Sequence, residues 1–174
     1  MIRVPIDLRE MVIALAGHAG QAVMQVYGRG FEVMHKADDS PVTEADLEAN
    51  RIIVQGLQRL TPHLPVLSEE SAQVDWEERR HWVSYWLVDP IDGTREFVNR
   101  TGQFSVNIAL VHQGAVKFAV VQEPVTGVIW HATRGELAYR RQRQHDTVLT
   151  TRTPASAPLR VATSRSLRSE RGEQ

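Results

Sequence analysis

The chain has 174 residues, 42% hydrophobic and 24% charged, with a formal net charge of −1. That is the composition of one ordinary globular domain with its own core, and it projects no field toward nucleic acid or an acidic surface. The absence of cysteine excludes disulfides, thiolate catalysis and zinc–sulfur sites together.

No apolar run is long enough to span a bilayer, and "MIRVPIDLRE" is too charged for a secretory signal, so a cytoplasmic location is the default expectation. Asp7 to Tyr27 reads as an amphipathic helix. Leu8, Met11, Val12, Leu15, Ala19, Ala22, Val23 and Val26 recur at helical spacing, Asp7 can cap it, and Gly28 and Gly30 can end it. "HKADDSP" is a polar loop. A second helix is expected from about Thr43 to Leu60, with Leu47, Ile53, Leu57 and Leu60 as its apolar positions. "LPVLS" (Leu64–Ser68) and Trp82 to Val88 are strand candidates.

The apolar period then changes to two. "FSVNIALVH", "VKFAVVQEP", "VIWHAT" and "ELAYRR" read as strands, with "QGA" and "PVTG" as turns between them, which suggests an antiparallel meander. Arg140 to Pro158 is polar and proline-bearing and reads as a loop, its "RRQRQ" run a solvated stretch. "LRVATS" is one more strand, with "SRSLRSE" opening a helix. Two helices followed by a multi-stranded sheet give an α+β fold, or one layered piece of a larger domain. The division expected is residues 1–158 as the main α+β portion and 159–174 as the start of a second. A strand and a helix begun this late leave each other poorly covered, so the chain is expected to be incomplete or to need another chain to finish its core.

Chemistry concentrates in "WLVDPIDGT". Pro90 cannot donate a hydrogen bond, so the ladder is expected to stop there, and Gly93 permits a sharp turn. Asp89, Asp92 and the Ile91 carbonyl can then face one point, as hard oxygen donors suited to Mg2+ or Mn2+. The same composition also makes an ordinary turn. "VLSEES" puts Glu69 and Glu70 just past another apolar strand; strand ends in open sheets gather ligands, but they are also simply wet. "SPVTEAD" supplies Thr43 and Asp46, which a helix capping box accounts for by itself. If a helical turn begins in "GTREFV", its free N–H groups and the Thr94 hydroxyl add an anion site beside the cation. Together these make a phosphate-ester site, where two metals about 3.5–4 Å apart can activate water and stabilise the leaving oxygen. The seven histidines show no ligand spacing. Trp76, Trp82 and Trp86 read as packing residues.

In this order and spacing, "SPVTEAD", "VLSEES" and "WLVDPIDGTREFVNRTGQFSVNIALV" resemble the Mg2+-dependent phosphatases of the inositol monophosphatase superfamily. "DGTREF" followed by "GQFSVNIAL", with Lys36 upstream, is similar to the 3′(2′),5′-bisphosphate nucleotidase (CysQ) branch. The resemblance implies a layered α-β-α-β-α fold, of which this chain would hold the first αβ portion. It implies two or three Mg2+ ions, with Mn2+ as a substitute. Glu69, Asp89, the Ile91 carbonyl and Asp92 would be the metal ligands. Glu69, Ile91, Asp92, Gly93 and Thr94 would contact substrate, and Thr94, supported by Asp46, would orient the attacking water. The implied substrate is adenosine 3′,5′-bisphosphate, cleaved to AMP and phosphate, with a link to sulfate assimilation. The alternatives are an inositol or sugar phosphate phosphatase, or an inactive fragment, because the family's W-D-x-A motif, which supplies a further aspartate to the second metal, is absent. The implied partner is a small phosphate monoester and not nucleic acid; a homodimer and peripheral association with the inner face of the cell membrane are the remaining expectations.

Overall fold

The structure, a computed structural model, describes residues 3–35, 41–71 and 74–151. Its elements in chain order are α1 (Ile6–Tyr27), β1 (Val33–His35), β2 (Pro41–Thr43), α2 (Glu44–Leu60), β3 (Val66–Ser68), α3 (Trp76–Arg79), β4 (Ser84–Asp92), α4 (Thr94–Val98), β5 (Ser105–His112), β6 (Ala115–Glu123), β7 (Val128–Thr133), β8 (Ala138–Gln142) and β9 (His145–Leu149). The fold is α+β, as expected. The strand at "LRVATS", the helix after it, the boundary after residue 158 and most of the "HKADDSP" loop lie outside the described residues.

The two long helices form where the periodicity places them. On α1 the buried stripe is Val12, Ile13, Ala16, Ala19, Gly20, Val23 and Val26. Met11 points away and is 46% exposed. Asp7 is not the cap; it sits inside the first turn. Pro5 occupies the N-cap without a side-chain hydrogen bond, and its carbonyl accepts from the Arg9 N–H. On α2 the buried positions are Ala45, Asp46, Ala49, Ile53, Gly56 and Leu57, while Leu47 is 45% exposed. Small residues on this stripe let the helices approach: a Cβ on Gly56 would stand 2.5 Å from Leu15 Cδ1.

Both helices pack on one face of a seven-stranded sheet ordered β3-β4-β5-β6-β7-β8-β9. β3 runs parallel to β4, and every later pair is antiparallel. The meander is therefore real, and longer than its apolar pattern shows. The stretch expected as a loop from Arg140 contains the end of β8 and all of β9. Its turn is made by Arg143 and Gln144, both at positive φ, the conformation of a tight two-residue hairpin normally built with Asn-Gly. Arg141 ties this hairpin down, pairing with Asp146 on β9 and Glu10 on α1. β1 and β2 form a small separate antiparallel pair. Trp76 heads the short helix α3 and is 61% exposed, so it is not a core residue. Among the described residues no helix is long and apolar enough to cross a membrane.

Alternation assigns the core face of the sheet. Trp86, Val88, Val106, Ile108, Leu110, Phe118 and Val120 turn toward the helices and are buried. The other parity carries Leu87 and Val121, 44% and 39% exposed, together with Ala109, Ala119, Asp89 and Asn107. Trp86 is fully buried, and its indole N–H donates to Thr61 Oγ1 at 2.8 Å, at the C-terminal end of α2. Removing that acceptor strands a buried donor. Thr61→Val therefore lowers the unfolding free energy by about 1–3 kcal/mol in urea titrations; an unchanged midpoint would contradict the assigned role of this bond.

Candidate functional site

The site is built on the C-terminal end of β4. The strand does not stop at Pro90, as the sequence suggested; its ladder skips it. Asp89 pairs with Asn107 and Asp92 with Ser105, so three steps along β4 match two along β5. The extra residue makes a bulge, which accommodates the missing proline N–H and re-aims the side chains around it. Gly93 then turns at φ +95°, and a Cβ there would stand 2.9 Å from the Gln103 carbonyl oxygen. Only glycine fits both the conformation and the contact. α4 starts immediately after, at Thr94.

α2 brings its own residues to the same place. Thr43 and Asp46 form the capping box the sequence suggested: the Thr43 N–H and hydroxyl each donate to Asp46 Oδ2 at 2.7 Å. The other carboxylate oxygen, Oδ1, accepts from the Thr94 hydroxyl at 3.1 Å. Asp46 is 1% exposed, so cap and site contact coexist in one carboxylate. Burial pushes its pKa up, against the pull of the Thr43 and Thr94 hydrogen bonds. The Thr94 hydroxyl is also 3.1 Å from the Ile91 carbonyl oxygen.

Asp89 is the electrostatic focus. Its pKa is pushed up to about 7, first by burial, then by the negative charges of Glu69 and Asp92, with a smaller push from Asp46. The Ile91 N–H, bonded to this carboxylate, opposes the rise. Asp89 Oδ1 is buried without a hydrogen-bond partner among the described residues. A buried carboxylate oxygen with no donor, flanked by two further carboxylates, is stable as an anion only if something cationic approaches it. Glu69 follows β3, its N–H donating to the Val88 carbonyl at 3.2 Å, so parallel pairing seats it beside Asp89. Both line a cleft of about 570 Å3 whose floor includes Leu87, Ala109, Ala119 and Val121 and which Arg79 also lines.

The structure thus joins Asp46 to Thr94 and Thr94 to Ile91, and gathers Glu69 and Asp92 around Asp89. The gathering is loose: among the described residues, no three His, Asp or Glu side chains stand ready to hold one ion. The donors still fit a hard divalent cation, because all are oxygens and one is orphaned. Sequence reasoning missed Asn107, whose Nδ2 donates to Asp92 Oδ2 at 3.5 Å and whose Oδ1 accepts from Ser105 at 3.2 Å. A polar residue inside the apolar run of "FSVNIALV" was its signal, and the pairing register gives it meaning. A larger cavity, of about 1100 Å3, is lined by residues of α1, β6, β7 and the β8–β9 hairpin and carries none of these groups.

The family model described as "Inositol monophosphatase family" matches residues 7–174. Among curated proteins, the chain is 52% identical over 129 residues to 3′(2′),5′-bisphosphate nucleotidase CysQ of Salmonella typhimurium, covering 73% of this chain and 52% of that protein. Among solved structures it resembles CysQ of Bacteroides thetaiotaomicron, with a TM-score of 0.67 and 38% identity, covering 78% of this chain and 49% of that one. It also resembles an IMPase of Thermotoga maritima, with a TM-score of 0.73 and 30% identity, covering 87% and 56%. The chain spans about half the length of the curated relatives it matches first.

The raised Asp89 pKa has a consequence for stability. Unfolded, the carboxyl titrates near its ordinary value of about 3.9; folded, it holds its proton to about 7. Between these values the folded state binds more protons, so Asp89's contribution is present below about pH 4 and lost as pH rises toward 7. In chelator, Asp89→Asn melts higher than wild type at pH 8 and level with it near pH 4. Equal melting temperatures at both pH values would contradict the assigned environment.

Proposed function

The chain belongs to the inositol monophosphatase family, and from that premise we propose that it acts as a Mg2+-dependent phosphomonoesterase on adenosine 3′,5′-bisphosphate, releasing AMP and phosphate. The observation that carries the reading is the orphaned Asp89 oxygen, placed between Glu69 and Asp92 and next to the hydrogen-bonded Thr94–Asp46 pair. Glu69, Asp89, the Ile91 carbonyl and Asp92 would hold the metal. When bound, Mg2+ would supply positive charge that acidifies a water and screens the phosphate oxygens.

The chain's own residues account for the remaining work. The single Thr94 hydroxyl proton has two acceptors, Ile91 O and Asp46 Oδ1. Donated to Asp46, it leaves the Thr94 oxygen lone pairs to accept a hydrogen bond from a water and so orient that water for attack at phosphorus. Asp46 is held by the Thr43 N–H and hydroxyl and cannot swing away. The Gly93 turn, at a φ that glycine takes up readily, would present the backbone amides at the start of α4 to the phosphate. The new bond joins water oxygen to phosphorus and the 3′ ester bond breaks; the proton lost by the attacking water passes to solvent, and solvent returns one to the 3′ oxygen, which leaves as a hydroxyl.

The bisphosphate substrate is supported by the 38–52% identity to proteins named as 3′(2′),5′-bisphosphate nucleotidases. Removing this by-product of sulfate transfer would link the chain to sulfate assimilation, in the cytoplasm. With Mg2+ and adenosine 3′,5′-bisphosphate, the purified protein releases inorganic phosphate in a colorimetric assay. Asp89→Asn abolishes the release, and Thr94→Val lowers kcat by roughly 10^2–10^4-fold. Faster turnover of inositol 1-phosphate would overturn the substrate. Absence of release, with the Salmonella relative active in the same assay, would overturn the activity of this chain.

A further inference from the structure

Asp46 and Asn50 lie four residues apart on α2, so their side chains leave the same face of the helix. Asp46 takes Thr94; Asn50 takes the turn that follows β3. Ser68 Oγ donates to Asn50 Oδ1 at 2.7 Å. Asn50 Nδ2 stands 3.4 Å from both the Glu70 carbonyl oxygen and Ser71 Oγ. The turn closes on itself through the Ser71 N–H and the Ser68 carbonyl, at 3.3 Å. Glu69 lies inside this turn. Its N–H is bound to the Val88 carbonyl, one residue before Asp89, and its side chain lines the same cleft as Asp89.

We infer that Asn50 is a positioning residue for Glu69: its amide staples the Ser68–Ser71 turn to α2 and so fixes where the Glu69 carboxylate stands relative to Asp89. The inference rests on the reading of Glu69 and Asp89 as ligands of one cation. The chemistry of the site selects an amide. Ser68 is 6% exposed, and its hydroxyl needs an acceptor, while the Glu70 carbonyl needs a donor. Asparagine offers both from one planar group. Aspartate would lose the donors and add a like charge close to Glu69, and alanine would satisfy neither partner. One helix thereby sets both halves of the site, the Thr94 side through Asp46 and the Glu69 side through Asn50, one turn apart.

Partners that orient metal ligands are worth about 10–100-fold in metal affinity. Mn2+ is titrated by calorimetry into wild type, Asn50→Ala, Ser68→Ala, Glu69→Gln and the Asn50→Ala/Glu69→Gln double variant, at a temperature where circular dichroism shows each folded. Asn50→Ala and Ser68→Ala each weaken Mn2+ binding by roughly tenfold or more, and the double variant binds no more weakly than Glu69→Gln alone. Hydrogen exchange at residues 69–71 speeds up in Asn50→Ala, with the Ile108 amide unchanged. Wild-type affinity in Asn50→Ala, or a further loss in the Glu69→Gln background, overturns the inference. If wild type itself takes up no Mn2+, the metal reading falls, and the exchange comparison alone decides whether Asn50 holds the turn.

Discussion

Asp89 is a carboxylate in a place where a carboxylate is poorly tolerated. It stands at the bulge of β4, partly buried, with Oδ1 unpartnered and with Glu69 and Asp92 both repelling its charge. A neutral residue there would relieve all three penalties, so the stability of the isolated fold does not explain the aspartate. A compensating cation does, and the surrounding donors are oxygens alone. Local instability of this kind marks sites where a ligand completes the structure.

The rest of the structure delivers partners to that point. Parallel pairing of β3 with β4 brings the Glu69 turn alongside. The β4–β5 register puts Asn107 opposite Asp89 and within reach of Asp92. Helix α2, packed on the covered face of the sheet, sends Asp46 over the strand end to Thr94. The site therefore sits where the two sheet faces meet: Asp46 belongs to the buried side, while Asp89 and Asn107 share a face with Leu87 and Val121. That the Trp86 indole is bound to the end of α2 holds helix and strand in one frame.

Much of this was legible in the sequence, for physical reasons that differ by element. The two helices carry strong 3.6-residue periodicity, and the strands from Ser105 to Thr133 alternate cleanly, so both announced themselves. The acidic residues were legible as a set because Asp46, Glu69, Asp89 and Asp92 each stand near the end of a recognisable element. Strand β9 was not: His145, Thr147, Val148 and Leu149 are all exposed, so no apolar alternation marks it, and its turn uses Arg143 and Gln144 where Asn-Gly would have been read. Met11, Leu47 and Trp76 were read inward because they are large and apolar, yet smaller neighbours fill the interface. Asn50 and Asn107 were not singled out, since an asparagine acquires a role only from the register of the elements on either side. The bulge at Pro90 was likewise invisible, because a proline announces a lost donor but not how the partner strand accommodates it.

The whole site depends on a cation that meets Asp89 Oδ1. Crystals grown with Mn2+ and measured at an anomalous wavelength locate the ion directly. The expected result is an anomalous peak about 2.0–2.3 Å from Asp89 Oδ1, also coordinated by the Ile91 carbonyl or by Glu69 or Asp92. A peak elsewhere, or an Asp89 carboxylate satisfied by a protein donor with no ion beside it, would contradict it.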